Sequence, residues 1–140
     1  MKILIIGSMA FIHDMVAIQK KLQVAGHEVN IPYGIEPHLA DPRYTDNLED
    51  NLEFCIKNNI MKRNFDEVVA HDAVLVLNNP RNGIDGYIGA SVLMELGIAH
   101  HNNKKIFLLN AYPDFNKFRW AHELAIIQPT VIDGDLTKIK

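Results

Sequence analysis

Two short runs, Ile3-Leu4-Ile5-Ile6 and Ala73-Val74-Leu75-Val76-Leu77, are apolar at every position. A strand with one face in water alternates apolar and polar side chains, so an unbroken apolar run belongs to a strand covered on both faces. That environment is supplied by a parallel sheet between two layers of helices. Between these runs the chain alternates short apolar stretches with amphipathic ones. Residues 27–32, 105–109 and 130–132 read as three further strands. Apolar Met15, Val16, Ile18, Leu22 and Val24 recur at roughly helical spacing within residues 13–25, and Gly26 stands where a left-handed helix end belongs. Residues 46–71 (either continuous or broken near Asn58-Asn59), 88–101 and 115–126 read as the other helical segments.

Five strands linked by helical crossovers imply an α/β fold: a doubly wound, five-stranded parallel sheet with helices on both faces, flavodoxin- or Rossmann-like. No repeat, linker or low-complexity tract divides the 140 residues, which read as a single domain spanning 1–140. In such sheets ligands sit outside the carboxyl ends of the strands, so the loops after Gly7, Asn78 and Asn110 are the places to look.

Fourteen basic and seventeen acidic residues leave a net charge of -3 with no basic cluster beyond pairs such as Lys20-Lys21, which argues against duplex nucleic acid as a partner. Cys55 is the one cysteine, which excludes an internal disulfide or a multi-cysteine zinc site and suits a reducing, cytoplasmic setting. The apolar start is too short for a signal sequence or a membrane span, so no membrane association is expected.

Several common tenants of this architecture are excluded by their required residues. There is no Gly-Lys-Ser/Thr after a glycine loop, and Gly7-Ser8-Met9-Ala10 lacks the spacing of a dinucleotide fingerprint. A phospho-acceptor would need a carboxylate where the chain has Asn78-Asn79, and no G-x-S-x-G elbow occurs. The seven histidines offer no pair four residues apart with a carboxylate partner, so neither metal nor cofactor is expected. His13, His27 and His122 read as solvated or capping residues.

The informative stretch is Asn82 to Ala99, a glycine-bearing loop that enters a helix. Gly89, Ala90 and Ser91 carry little side-chain bulk, so their backbone N–H groups can approach an anion at the positive end of the helix dipole. Glu95 follows one turn later among Val92, Leu93, Met94, Leu96 and Ile98, where a carboxylate is expensive to bury without a partner. It is either on a solvated edge, or accepting hydrogen bonds from a loop, or a partly desolvated carboxylate able to attack an electrophilic carbon.

The pattern Gly89-x-Ser91-x-x-Met94-Glu95-Leu96-Gly97-x-Ala99 after the strand Asp72-Ala73-Val74-Leu75-Val76-Leu77 resembles the nucleoside 2-deoxyribosyltransferase superfamily. The opening Ile3 to Ser8 with Phe11, and Gly26-His27-Glu28-Val29, are similar to that family's first strand, pocket loop and second strand; the resemblance spans roughly residues 1–110. It implies Glu95 as the nucleophile on C1′ of the sugar, Gly89 and Ser91 at the sugar 5′ end or its phosphate, and Gly7, Ser8 and Phe11 over the base. With the loop residues Asn78, Gly86, Ala90 and Asn110, these form the expected substrate site. Two positions depart from the family. Asn64 stands where an aspartate is usual, and Gly89 stands six residues before Glu95 where an Asp or Ser is usual, which leaves Asp85 as the candidate acid for the leaving base.

The resemblance therefore implies an N-glycosyl hydrolase or deoxyribosyltransferase acting on a nucleoside or its 5′-monophosphate, assembled as a homodimer or larger homo-oligomer. A non-catalytic nucleotide-binding module on the same fold is the competing reading, and an FMN carrier, which would be yellow, is a third. Phe115, Phe118, Trp120 and Leu124 are candidate core or interface residues. In the loop of residues 32–46, Tyr33, His38, Arg43 and Tyr44 either close over a ligand or merely connect two elements. Arg43 and Arg81 are each able to hold a phosphate bidentately.

Overall fold

The computed structural model describes residues 1–140. Five parallel strands, β1 (Lys2–Gly7), β2 (Glu28–Asn30), β3 (Ala73–Leu77), β4 (Lys105–Leu108) and β5 (Thr130–Val131), form one sheet in the order β2-β1-β3-β4-β5. This is the flavodoxin-like order, and its direction reverses between β1 and β3. Six helices connect and cover the strands: α1 (Ile12–Val24), α2 (Glu36–Ala40), α3 (Leu48–Lys57), α4 (Ile60–Ala70), α5 (Ala90–His101) and α6 (Ala121–Ile127). None of them is long and apolar enough to cross a membrane.

The unbroken apolar runs serve two cores because successive side chains in a strand point to opposite faces. Ile3, Ile5, Leu75 and Leu77 pack with Ile12, Met15 and Leu22 of α1 and with the C-terminal Ile132 and Ile139. Leu4, Ile6, Val74 and Val76 pack with Val68 of α4, Val92, Leu96 and Ala99 of α5, and Leu124 of α6. Leu124 is thus core, Trp120 packs partly buried against it, and Phe115 is exposed.

Local chemistry sets where elements end. The expected helix over residues 46–71 is two helices, because Asn59 adopts a left-handed backbone (φ 50°) between α3 and α4. The Asn47 side chain caps the start of α3 through the backbone N–H of Asp50. The connection after β2 is not a plain loop. It holds α2 and a 3-10 turn, Pro42–Asp46, whose Arg43 N–H is capped by the Asp41 side chain. The last helix begins at Ala121 rather than at 115, since residues 114–120 form turns anchored by Asp114, whose carboxylate accepts from the backbone N–H of Asn116. His27 and His122 are half-buried, each with Nδ1 turned inward and without a hydrogen-bond partner in the protein.

A clamp joins the ends of the two central strands. Asn78 Nδ2 donates to the Asn110 carbonyl at 2.8 Å, and Asn110 N–H donates to Asn78 Oδ1 at 2.8 Å. Gly86 packs against the same segment at φ +71°, and a Cβ there would collide with the Ala111 carbonyl oxygen. Gly86→Ala combines that collision with a left-handed backbone, so thermal denaturation is expected to reveal a loss of at least about 2 kcal/mol. Gly83→Ala shares the positive φ but faces open space, and a distinctly smaller loss is expected.

Candidate functional site

A cleft of about 630 Å³ opens where the strand order reverses. Its floor comes from the end of β1 and the loop beyond it, Gly7, Ser8 and Met9. One wall is the start of α5, with Gly89, Ala90, Ser91, Val92 and Glu95, approached by Tyr87. The opposite wall is built from Pro32, Tyr33, Gly34 and His38, the face of α3 bearing Leu48, Asn51, Leu52 and Cys55, and Ile60, Met61 and Asn64 at the start of α4. The spacing 48, 51, 52, 55 is one face of a helix, so α3 presents a mixed apolar and polar surface to the cleft.

The floor is open at Gly7 for a steric reason. A Cβ there would lie 2.9 Å from the Leu77 carbonyl oxygen and 3.0 Å from Met15 Cε, so only glycine allows β1 to end this close to β3. Ser8 caps the following turn by accepting from Ala10 N–H, and it also accepts from Arg81 Nη1 at 3.1 Å. Arg81 meanwhile donates to Asp46 at 3.0 Å and lies 5.7 Å from the Tyr87 ring centroid, which ties three parts of the cleft rim together.

Glu95 is the chemically distinctive group. It is 6% exposed, faces the cleft, and has neither a hydrogen bond nor an ion pair with the protein. Burial alone pushes its carboxyl from the ordinary 4.5 up to about 7, because nothing nearby compensates the desolvated charge. One turn earlier, Gly89 caps α5 without a side-chain acceptor, and the backbone N–H groups of Ala90, Ser91 and Val92 lack partners within the protein. The helix therefore presents three donors and the positive end of its dipole at the cleft, with a carboxylate about 6 Å further along the axis.

Asn64 is buried in the facing wall. Its Oδ1 accepts from the Tyr33 backbone N–H at 2.9 Å, which orients the amide and leaves the Nδ2 hydrogens without a protein acceptor. A carboxylate at the same place would offer acceptors, whereas this amide offers donors.

Of the residues singled out from the sequence, Gly7, Ser8, Tyr33, His38, Asn64, Gly89, Ala90, Ser91 and Glu95 come together in the cleft. Five do not line it. Phe11 is buried in the core beside α1, Asn78 and Asn110 are occupied with each other, Gly86 packs on Ala111, and Asp85 is exposed on the loop surface. Asp85 is therefore no acid for a group held in this cleft. Arg43 pairs with Asp41 on the surface, and Arg81 stands at the rim. Sequence reading missed Thr45, Asn51 and Cys55; the helical spacing of Leu48, Asn51, Leu52 and Cys55 was the available signal.

No protein-family model matches the sequence, and no curated protein matches it. Among solved structures, the CMP N-glycosidase BcmB of Clostridium botulinum is similar, with a TM-score of 0.52 at 15% identity over 95% of this chain and 90% of that one. At that identity the likeness is one of fold, and the protein is a flavodoxin-like α/β chain that shares its architecture with a nucleotide N-glycosidase.

Proposed function

We propose that the protein is an N-glycosyl hydrolase or deoxyribosyltransferase acting on a nucleoside or nucleoside 5′-monophosphate, with Glu95 as the nucleophile. One observation carries the reading: a buried, unpartnered carboxylate stands one helical turn beyond three free backbone N–H groups in the same cleft. The separation along α5 suits a pentose held with its 5′ substituent at the helix start and C1′ at Glu95. The fold shared with a CMP N-glycosidase supports the same class of chemistry.

In this reading a Glu95 oxygen attacks C1′ and the C1′–N bond breaks, its electron pair leaving with the base. Positive charge developing at C1′ is stabilised by the carboxylate before the glycosyl ester forms. Water or a second base then attacks C1′, the ester bond breaks, and Glu95 is restored as a carboxylate. Water gives the free sugar or sugar phosphate, and a second base gives transfer. The departing base takes its proton from solvent, since Asn64 is an amide that hydrogen-bonds without being an acid. A homodimer or larger assembly belongs to the same proposal.

Asn64→Asp keeps an oxygen for the Tyr33 N–H and adds a buried acid that can protonate the leaving base. Base release is expected to rise about tenfold or more, read as kcat with the best substrate of a nucleotide panel. An unchanged or lower kcat with intact substrate binding would show that departure of the base does not limit turnover. A binding module that never cleaves would instead bind nucleotides with no base released by either form.

A further inference from the structure

In the same cleft as Glu95, four lining residues form a chain of hydrogen bonds with a defined direction. Cys55 Sγ–H donates to Asn51 Oδ1 at 3.3 Å, which orients the Asn51 amide so that Nδ2 faces His38 Nε2 at 3.5 Å. With Nε2 accepting, the remaining ring proton is on Nδ1, 2.9 Å from Thr45 Oγ1. Thr45 Oγ1 thus accepts from the imidazole, and its own hydrogen finds no acceptor in the protein. His38 is 5% exposed and lies edge-on to the Tyr44 ring at 5.0 Å, and the tautomer is set by the Asn51 amide, which Cys55 orients. Desolvation lowers the His38 pKa, in keeping with the neutral ring that the chain requires.

The pattern has a chemical meaning. Every bond in the chain points one way, from the α3 thiol through amide and imidazole to a hydroxyl at the cleft surface. The wall therefore ends in a donor, and an occupant facing it must offer an acceptor to satisfy it.

We propose that the Thr45 hydroxyl, oriented by His38, Asn51 and Cys55, reads the base of the bound nucleotide and selects a heterocycle that presents a ring nitrogen or carbonyl oxygen to this wall. The inference rests on the nucleotide reading of the cleft and deepens it, since it assigns the part of the lining around Thr45 to the base and names the edge chemistry recognised there. Thr45 is a specificity-determining contact, whereas His38, Asn51 and Cys55 act through it as positioning residues.

The test is calorimetric, in a Glu95→Gln background so that no probe is consumed. The ribo- and 2′-deoxyribonucleosides, their 5′-monophosphates, and ribose 5-phosphate, which keeps sugar and phosphate but has no base, are titrated into the parent, Thr45→Val and Thr45→Ser. Valine matches threonine in shape and lacks the hydroxyl. Expected is about a tenfold weaker Kd for the tightest-binding nucleotide in Thr45→Val. Thr45→Ser should recover it to within about twofold and ribose 5-phosphate should bind all three alike; Thr45→Val also strips the buried His38 N–H of its acceptor and should melt lower, a loss that Thr45→Ser restores. Equal nucleotide affinity in parent and Thr45→Val overturns the proposal while leaving the nucleotide site intact. Parallel weakening of ribose 5-phosphate overturns it too, since the hydroxyl would then act on the sugar or through the fold. Failure of every probe to bind the parent removes the nucleotide reading itself, and the base contact with it.

Discussion

Glu95→Gln is expected to lower base release by more than about a thousandfold while nucleotide binding persists. Glutamine keeps the size of the side chain but cannot form the glycosyl ester, and loss of a nucleophile typically removes several orders of magnitude. The pH profile follows from the same burial. Glu95 must be ionised to attack, and its carboxyl is pushed up to about 7, so kcat/KM should rise tenfold per pH unit below about 7 and level off above it. A profile that falls through that range would assign Glu95 the role of an acid instead.

The second large effect is on stability. Because the folded carboxyl is raised from 4.5 to about 7, the folded chain holds a proton that the unfolded chain has released between those values. Stability therefore falls as pH rises through that window. Below about 4.5 both states are protonated and the burial of Glu95 carries no ionisation penalty. Above about 7 the full penalty applies, about 3 kcal/mol at about 1.4 kcal/mol per pH unit. Glutamine never ionises, so Glu95→Gln should be more stable than wild type by about 3 kcal/mol at pH 8.5, a rise of roughly 10 °C in Tm. The two should nearly coincide at pH 4. A protein that gains stability on losing a buried carboxylate is expected to keep that carboxylate for a function other than folding.

The central sheet was legible because its signal is strong: Ile3 to Ile6 and Ala73 to Leu77 admit almost nothing but strands covered on both faces, whereas the order β2-β1-β3-β4-β5 comes from the structure, the crossovers alone being compatible with more than one order. The glycine loops at Gly7 and Gly89 were legible for a related reason, since strand ends in this order converge on one crevice. Segments whose form depends on tertiary contacts were not. Residues 36–46 fold into a short helix and a 3-10 turn, each started by a proline near its N-terminus and held by contacts from Asp46 to Arg81 and from His38 to α3. No periodicity over five residues announces that. Asn78 and Asn110 looked like ligand-binding residues by their place after β3 and β4, yet their complementary amide and backbone groups satisfy one another. Thr45, Asn51 and Cys55 escaped notice because they reach the cleft only through the packing of the Pro42–Asp46 turn and α3. Asn64 was located by counting from Asp72, but its donor character toward the cleft depends on the Tyr33 N–H that fixes its amide.

The most direct measurement is chromatographic detection of free base after the protein is incubated with nucleosides and their 5′-monophosphates, run beside Glu95→Gln. Release by the wild type from at least one substrate, lost in the variant while the variant still binds that substrate, is the expected result. Wild-type protein that binds nucleotides and releases no base, or a variant that releases base as fast as the wild type, would contradict Glu95 as the nucleophile of a glycosyl transfer.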